Sequence, residues 1–205
     1  MSMPYQVMYR IGFTPWDGHE PPAPLVDLVG TLPAGQMLDI GCGTGHDAIW
    51  CEARGWRVTG IDAVSVALRR ARRNAKLAGA DVRFIQANIA RITPAALGSG
   101  YTLLQDIGCF GGLSDPDRRR AAATITAVAA PGARLLMFAF GQGGGRFGPR
   151  RLDLPEIRAL FPAWDIMFSR SADEIDIKGP MRDAARAWHQ LVRQPPAEAT
   201  KASKQ

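Results

Sequence analysis

The chain has 205 residues, a mass of 22.2 kDa and a formal net charge of +6, and 46% of its residues are apolar. This length and composition predict one globular domain with a sizeable core. No apolar run approaches the roughly 20 residues of a membrane-spanning helix, and the first ten residues do not have the pattern of a signal peptide. Three scattered cysteines without CxxC spacing indicate free thiols, so we expect a protein of the reducing cytoplasm.

The first 24 residues predict an irregular, proline-rich arm, and its aromatic side chains are expected to cover part of the domain. The domain itself is predicted over residues 25–193. The polar tail, residues 194–205, is predicted to be disordered. The arm and tail thus flank a single domain rather than adding separate ones.

Helices and strands are predicted to alternate through the first half of the domain. Gly55 and Gly79 are natural helix ends, and residues 89–99 predict a poorly defined connection with some helix. The predicted elements are a helix over 25–32, a strand over 36–40, a helix over 46–54, a strand over 57–61, an arginine-rich helix ending near residue 79, and a strand over 82–87.

The second half continues the alternation and ends in two further strands. The segment Ser114-Asp115-Pro116 has the residues of a helix start. The predicted elements are a strand over 101–106, a helix from 114 to about 130, a strand over 134–140, a glycine-rich loop over 141–149, a helix over 154–161, and strands over 164–171 and 184–193. The last segment also suits a helix. This order predicts an α/β fold: a doubly wound, mostly parallel, seven-stranded sheet with helices on both faces.

The most informative segment is Leu38-Asp39-Ile40-Gly41-Cys42-Gly43-Thr44-Gly45. An apolar strand ends at an acid, glycine then recurs at every second position, and a helix follows. Glycines let a ligand touch the backbone, and the helix N-terminus offers free N–H groups. A second acid, Asp62, ends the next strand, where its carboxylate could accept hydrogen bonds from a ribose diol. The pattern predicts a site for an adenosine-containing ligand.

The acid Asp39 discriminates between two such ligands. A carboxylate beside the glycine turn would repel the pyrophosphate of a dinucleotide, whereas it would attract a ligand with an ammonium and a sulfonium group. The spacing G-x-G-x-G also differs from the G-x-G-x-x-G of dinucleotide sites. S-adenosylmethionine is therefore favoured over NAD, although an NAD-binding oxidoreductase stays an alternative.

With LDIGCGTG followed by VTGID, the chain resembles the class I S-adenosylmethionine-dependent methyltransferases. The resemblance implies a Rossmann-like fold in which the glycine turn and its acid hold the methionine part of the cofactor. The ribose would lie at Asp62 and the adenine after the third strand, where this family often has Asp and this chain has Asn88. The implied cofactor residues are Trp16, Asp39, Gly41, Cys42, Gly43, Gly45, Asp62, Ala63, Asn88, Ile89, Asp106 and Ile107. Of these, Asp106 is expected to contact the cofactor ammonium.

The segment from Tyr9 to Gly18 resembles the G-x-T-P-W-D segment of the thiol, halide and thiopurine methyltransferase-like group. That resemblance implies a small-molecule acceptor with an O, S or N-hydroxy nucleophile, and an arm that folds over cofactor and acceptor. The implied acceptor pocket contains Tyr9, Trp16, His19, Cys109, Phe110 and Phe147. Simple packing of the aromatic residues against the sheet edge is the alternative.

The remaining expectations concern chemistry and partners. Three histidines without ligand spacing predict no metal site, and an already ionised acceptor needs no catalytic base, so none is assigned. The arginine-rich helix and Arg118, Arg119 and Arg120 are read as solvated faces, with an RNA-directed methyltransferase as the alternative. The strand over 101–106 does not end in the (Asn/Asp)-Pro-Pro-(Tyr/Phe) pattern of enzymes that methylate base amino groups. A binding module that has lost catalysis is a further alternative, and a monomer or weak homodimer is expected.

Overall fold

A computed structural model describes residues 3–11, 14, 20–141, 150–172 and 184–195. Its helices are Met3–Ile11 (α1), Ala23–Thr31 (α2), His46–Glu52 (α3), Ser65–Ala78 (α4), Pro94–Leu97 (α5), Asp115–Val128 (α6) and Leu154–Leu160 (α7), and Phe110–Gly112 forms a 3₁₀ turn. Its strands are Gln36–Ile40 (β1), Arg57–Asp62 (β2), Arg83–Gln86 (β3), Tyr101–Ile107 (β4), Ala129–Phe140 (β5), Trp164–Ser171 (β6) and Arg186–Arg193 (β7).

The seven strands form one sheet in the order β3-β2-β1-β4-β5-β7-β6. Strands β1 to β5 run parallel, and β7 is antiparallel to both β5 and β6. This confirms the predicted fold class. Strand order reverses between β1 and β4, the position where ligands bind in open α/β sheets. In the register there, Ile40 lies between Ile61 and Asp106, so the ends of β1, β2 and β4 meet at one edge.

Alternate residues of the central strands supply two apolar cores, one on each face of the sheet. Leu38 packs in the core that includes Ile125 of α6, and its neighbour Met37 packs in the core that includes Leu25 of α2. Successive side chains of a strand point to opposite faces, so a strand buried on both sides is apolar throughout. Each fully buried side chain of this kind contributes about 1.5–3 kcal/mol. Within the described residues, no helix is both long and apolar enough to span a bilayer.

The arm contains a helix that the sequence analysis did not predict. Helix α1 packs against α4 through Tyr9, which contacts a small cluster that includes Val64. The guanidinium of Arg70 also donates to the main-chain oxygen of Tyr9 over 3.1 Å. The prolines that suggested irregular structure, Pro15 to Pro24, follow α1 rather than interrupt it. Contacts with α4 therefore stabilise a nine-residue helix that would be marginal alone.

Most other bounds agree with the predictions within a few residues, and β6 agrees at both ends. Strand β5 begins earlier than predicted, at Ala129, because its register to β4 shifts near Tyr101 and lets the segment continue the ladder. The last segment is a strand because it pairs on both sides, with β5 and with β6. A pattern that suited either helix or strand was thus decided by hydrogen-bonding partners.

Candidate cofactor site

The glycine turn after β1 is bound to the end of β2. The main-chain N–H groups of Gly41 and Cys42 both donate to the oxygen of Ile61, over 2.7 and 3.1 Å. The chain then closes through the N–H of Gly45, which donates to Cys42 over 2.8 Å, and α3 begins at the next residue. The first turn of α3 therefore opens beside the ends of β1 and β2, as the sequence predicted.

All three glycines of the turn, Gly41, Gly43 and Gly45, lie where a side chain would collide with neighbours. A Cβ on Gly41, whose φ is 74°, would lie 2.8 Å from the Cβ of Cys109. A Cβ on Gly43, whose φ is 54°, would lie 2.6 Å from the phenol oxygen of Tyr9. The structure thus brings two of the predicted acceptor-side residues, Tyr9 and Cys109, against the glycine turn.

Asp62 is held by main-chain donors at the end of β2. Its Oδ2 accepts the N–H of Gly43 over 3.0 Å, and its Oδ1 accepts the N–H of Val64 over 2.7 Å. Burial raises the pKa of Asp62, while these N–H groups oppose the rise. A carboxylate has about four lone-pair positions, so both oxygens retain capacity for a ribose diol.

Four carboxyl groups interact electrostatically around the turn: those of Asp39, Asp47, Asp62 and Asp106. Burial raises the pKa of Asp39 well above its usual value, and the other three carboxylates raise it further. The amide of Gln105 donates to Asp47 Oδ2 over 2.7 Å and also hydrogen-bonds Asp39. A cation beside this cluster would be attracted, and it would lower the pKa of Asp39 again.

Gln105 and Asp47 were not singled out from the sequence. Gln105 is only 1% exposed, and its Oε1 has no hydrogen-bond partner among the described residues. A glutamine inside the apolar strand β4 was the available signal, because a buried amide needs partners. Asp47 lies in the first turn of α3, where an acid is also favoured by the helix dipole and therefore attracts no special notice.

Asp106 is fully buried at the end of β4. Both of its carboxylate oxygens lie 3.3 Å from the main-chain nitrogen of Phe110, which donates to them. Burial raises its pKa to about 7, against the N–H groups of Phe110 and Cys109 and the charge of Arg118. The carboxylate is therefore directed toward the following turn, and its contact with a cofactor ammonium stays a prediction.

The other predicted cofactor residues lie along the same edge. The side-chain oxygen of Asn88 accepts the N–H of Ala90 over 2.9 Å and so shapes the turn after β3. Ile89 is buried, Ala63 is half-buried, and Ile107 is 37% exposed at the end of β4. The ends of β2, β3 and β4 thus present these residues together.

The predicted acceptor pocket is only partly described. The ring of Phe110 is fully buried and packs on Phe161, with 5.9 Å between ring centroids. It therefore belongs to the core, and the expectation that it lines an open pocket is not supported. Trp16, His19 and Phe147 lie outside the described residues. A cavity of about 350 Å³ between α2 and β6 contains none of the predicted site residues.

The residues at this edge fit S-adenosylmethionine better than a dinucleotide. A side chain at Gly41, Gly43 or Gly45 would collide with neighbours. The buried carboxyl cluster suits an ammonium and a sulfonium, and a buried amide oxygen lacks a donor. The same carboxyl groups would disfavour a pyrophosphate. The geometry defines a nucleoside-binding α/β protein with a preference for a cationic ligand.

Comparisons with known proteins agree with this class. Residues 37–132 match a family described as "Methyltransferase domain". A probable thiol methyltransferase 2 of Arabidopsis thaliana is 35% identical over 68 residues, which are 32% of this chain and 30% of that protein. An S-adenosyl-L-methionine-dependent Diels-Alderase of Talaromyces variabilis is 46% identical over 48 residues, 23% of this chain and 16% of that protein. The matches thus span less than a third of these relatives' lengths.

The fold is similar to that of the N-methyltransferase NodS from Bradyrhizobium japonicum, solved with S-adenosyl-L-homocysteine. The TM-score is 0.69 at 19% identity, covering 84% of this chain and 85% of that one. The match over residues 37–132 and the shared fold agree with the resemblance to class I S-adenosylmethionine-dependent methyltransferases that the sequence carries.

Replacing Gly41 by alanine tests the close packing of the turn. Backbone strain at positive φ costs about 1–3 kcal/mol. We expect a larger loss of stability than this, because Cys109 must also move. Gly79→Ala is the matched control, since Gly79 has a φ of 68° and nothing within 4 Å of its Cβ position. Chemical denaturation measures both, and equal losses would contradict the packing.

The protonation of Asp106 predicts a pH dependence of stability. With a pKa of about 7 in the fold against 3.8 ordinarily, the folded state binds the extra proton between these values. This contribution is complete below pH 4 and is lost as pH rises through 7. Between pH 6 and 8, the unfolding free energy of the parent protein should therefore fall by about 1 kcal/mol more than that of Asp106→Asn. Parallel pH profiles from denaturant titrations would refute the assignment.

Proposed function

We propose that the protein transfers the methyl group of S-adenosylmethionine to a small-molecule O, S or N-hydroxy nucleophile. The observation that carries the proposal is a turn with glycine at positions 41, 43 and 45, set beside buried carboxyl groups at the reversal of strand order. That arrangement suits a positively charged nucleoside, and an activated methyl group is what this cofactor supplies when bound.

Each part of the site has a proposed task in cofactor binding. The cluster around Asp39 attracts the ammonium end, and Asp62 accepts hydrogen bonds from the ribose diol. Asn88 and Ile89 bound the adenine side, after β3. Because Asp62 is itself fixed by Gly43 and Val64, its oxygens are already oriented before a ligand arrives. Such preorganisation lowers the cost of binding.

The acceptor side is proposed to work by alignment and exclusion of water. Helix α1 lies over the turn with the buried side chain of Tyr9 at Gly43, so it covers the site from the arm side. Positioning alone can supply roughly 7–11 kcal/mol of the barrier to a displacement reaction. A thiolate, a phenolate or an acidic N-hydroxy group needs no strong base, and we assign none.

Two observations support a small acceptor. The segment from Tyr9 to Gly18 resembles the thiol, halide and thiopurine group, and one relative is named a probable thiol methyltransferase. Against an RNA substrate, part of the arginine-rich face of α4 is engaged within the fold: Arg70 donates to Tyr9 and Arg72 donates to the main-chain oxygen of Phe84 over 3.2 Å. We therefore propose a small molecule rather than a nucleic acid.

Cofactor binding is tested by calorimetry with S-adenosylhomocysteine and, separately, NADH. We expect binding of the first alone, and Asp62→Ala should weaken it by about 2–3 kcal/mol through loss of a charged acceptor. Asp81→Ala, which removes an exposed acid, is the matched control and should bind as the parent does. Binding of NADH alone, or full affinity in Asp62→Ala, would overturn the cofactor assignment.

Acceptor class is tested with S-adenosylmethionine carrying a deuterated methyl group. A panel of thiols, halides, phenols and N-hydroxy heterocycles is incubated with the protein, and mass spectrometry detects labelled products. We expect methylation of at least one small nucleophile and no methylation of a structured RNA incubated under the same conditions. A protein that binds S-adenosylhomocysteine but labels only RNA would contradict the small-molecule proposal.

A further inference from the structure

Arg118 is unlike the two arginines that follow it. The run Arg118-Arg119-Arg120 suggested one solvated face of α6, yet Arg118 is 1% exposed while Arg119 and Arg120 are exposed. The expectation of a solvated face is therefore wrong for the first of the three. A buried guanidinium requires partners for its donors, because an unpaired buried charge is strongly destabilising.

The guanidinium of Arg118 has four partners from three separate segments. Its Nε donates to the main-chain oxygen of Phe110 over 3.0 Å, in the turn after β4. Its terminal nitrogens donate to the main-chain oxygens of Arg150 over 3.1 Å and Arg151 over 2.8 Å. It also forms an ion pair of 2.6 Å with Glu156 of α7.

The peptide groups of Phe110 connect Arg118 to the end of β4. The N–H of Phe110 donates to both carboxylate oxygens of Asp106, and the carbonyl of Phe110 accepts from Arg118. The charge of Arg118 also acts on Asp106, whose pKa it lowers. Arg118 thus reaches Asp106 by two routes, through the hydrogen-bonded turn and through its electric field.

Further bonds tie the segment that begins at Arg150 to the same turn. The N–H of Arg150 donates to the oxygen of Gly111 over 2.8 Å, and the N–H of Leu152 donates to the oxygen of Phe140 over 2.9 Å. The side chain of Arg150 also pairs with Asp115 over 2.5 Å. The turn after β4 and the chain after residue 149 therefore form one hydrogen-bonded unit around Arg118.

We propose that Arg118 is a positioning residue for the acceptor-side end of β4. It holds the turn at Phe110 against Asp106, and it joins residues 150–151 to that turn. The inference rests on the proposed function, because the resemblance behind that function places Cys109, just after β4, on the acceptor side. It assigns no contact between Arg118 and a ligand.

Only arginine can make this set of contacts. Its planar guanidinium presents five donors in fixed directions, whereas lysine presents a compact charge with three donors on a flexible stem. Lysine at 118 would keep the charge near Asp106 but would lose most of the carbonyl contacts. Methionine would fill similar space and would lose both the charge and the carbonyl contacts. Comparing the two variants therefore separates the effect of the charge on Asp106 from the effect of the hydrogen bonds.

The test compares Arg118→Met and Arg118→Lys with Arg119→Met as the matched control on the same helix. In protein labelled with ¹³C at aspartate carboxyl groups, NMR titration follows Asp106, which is assigned by its loss in Asp106→Asn. We expect the titration midpoint of Asp106 to rise above the parent value in Arg118→Met. It should stay closer to the parent value in Arg118→Lys and be unchanged in Arg119→Met.

Hydrogen exchange at the amides of residues 110–113 and 150–152 supplies the second readout. It should quicken at least tenfold in both Arg118 variants, and not in Arg119→Met, because those segments lose their shared anchor. Arg118→Lys, which keeps the charge and loses most of the carbonyl contacts, covers the case in which Arg118→Met does not fold; it should quicken exchange at residues 150–152. Unchanged exchange there would overturn the proposal.

Calorimetry with S-adenosylhomocysteine separates failure of this inference from failure of the proposed function. The parent protein and Arg119→Met should bind it with affinities within about threefold, since Arg119 is exposed on α6 and is not one of the proposed cofactor residues. Absence of binding by the parent would defeat the proposed function alone. A folded Arg118→Met with the parent titration of Asp106 and the parent exchange rates would defeat the positioning role alone.

Discussion

The site depends on the contact between the turn after β1 and the end of β2. Gly41 and Cys42 donate to Ile61, and Asp62 in return accepts the N–H of Gly43. These bonds run in both directions between two neighbouring parallel strands, so the turn cannot move without breaking the hydrogen bonds of a buried carboxylate. The start of α3, the position of Tyr9 above the turn and the approach of Cys109 all follow from that arrangement.

A buried group of carboxyls is the second constraint, and it carries a cost in the free protein. Asp47, Asp62 and Asp106 all raise the pKa of Asp39, and Gln105 only partly compensates with its amide. Such a cluster is poorly explained as a stabilising device, because buried like charges oppose folding. It is well explained as a binding surface for a positive ligand, which relieves the same repulsion. This is the physical sense in which the site is built for its proposed cofactor.

The fold class was predictable because it is encoded in local patterns that repeat. Apolar strands, capped helices and glycine stops recur along residues 36–140, and such an alternation predicts a parallel sheet covered by helices. Helix α1 was not predictable, since its nine residues are stabilised by α4 and by Arg70. The role of Arg118 was hidden for a similar reason: in sequence it is one of three adjacent arginines, and only packing distinguishes it.

The sequence by itself determined the glycine turn, the acids at the ends of β1 and β2, and the class of ligand, because backbone freedom and charge are properties of the residues themselves. The tertiary structure alone decided which other groups lie beside these acids. It placed Gln105 and Asp47 beside Asp39, turned Asp106 toward the Phe110 peptide, and moved the ring of Phe110 into the core. These outcomes depend on strand register and on contacts between residues distant in sequence, which no local pattern contains.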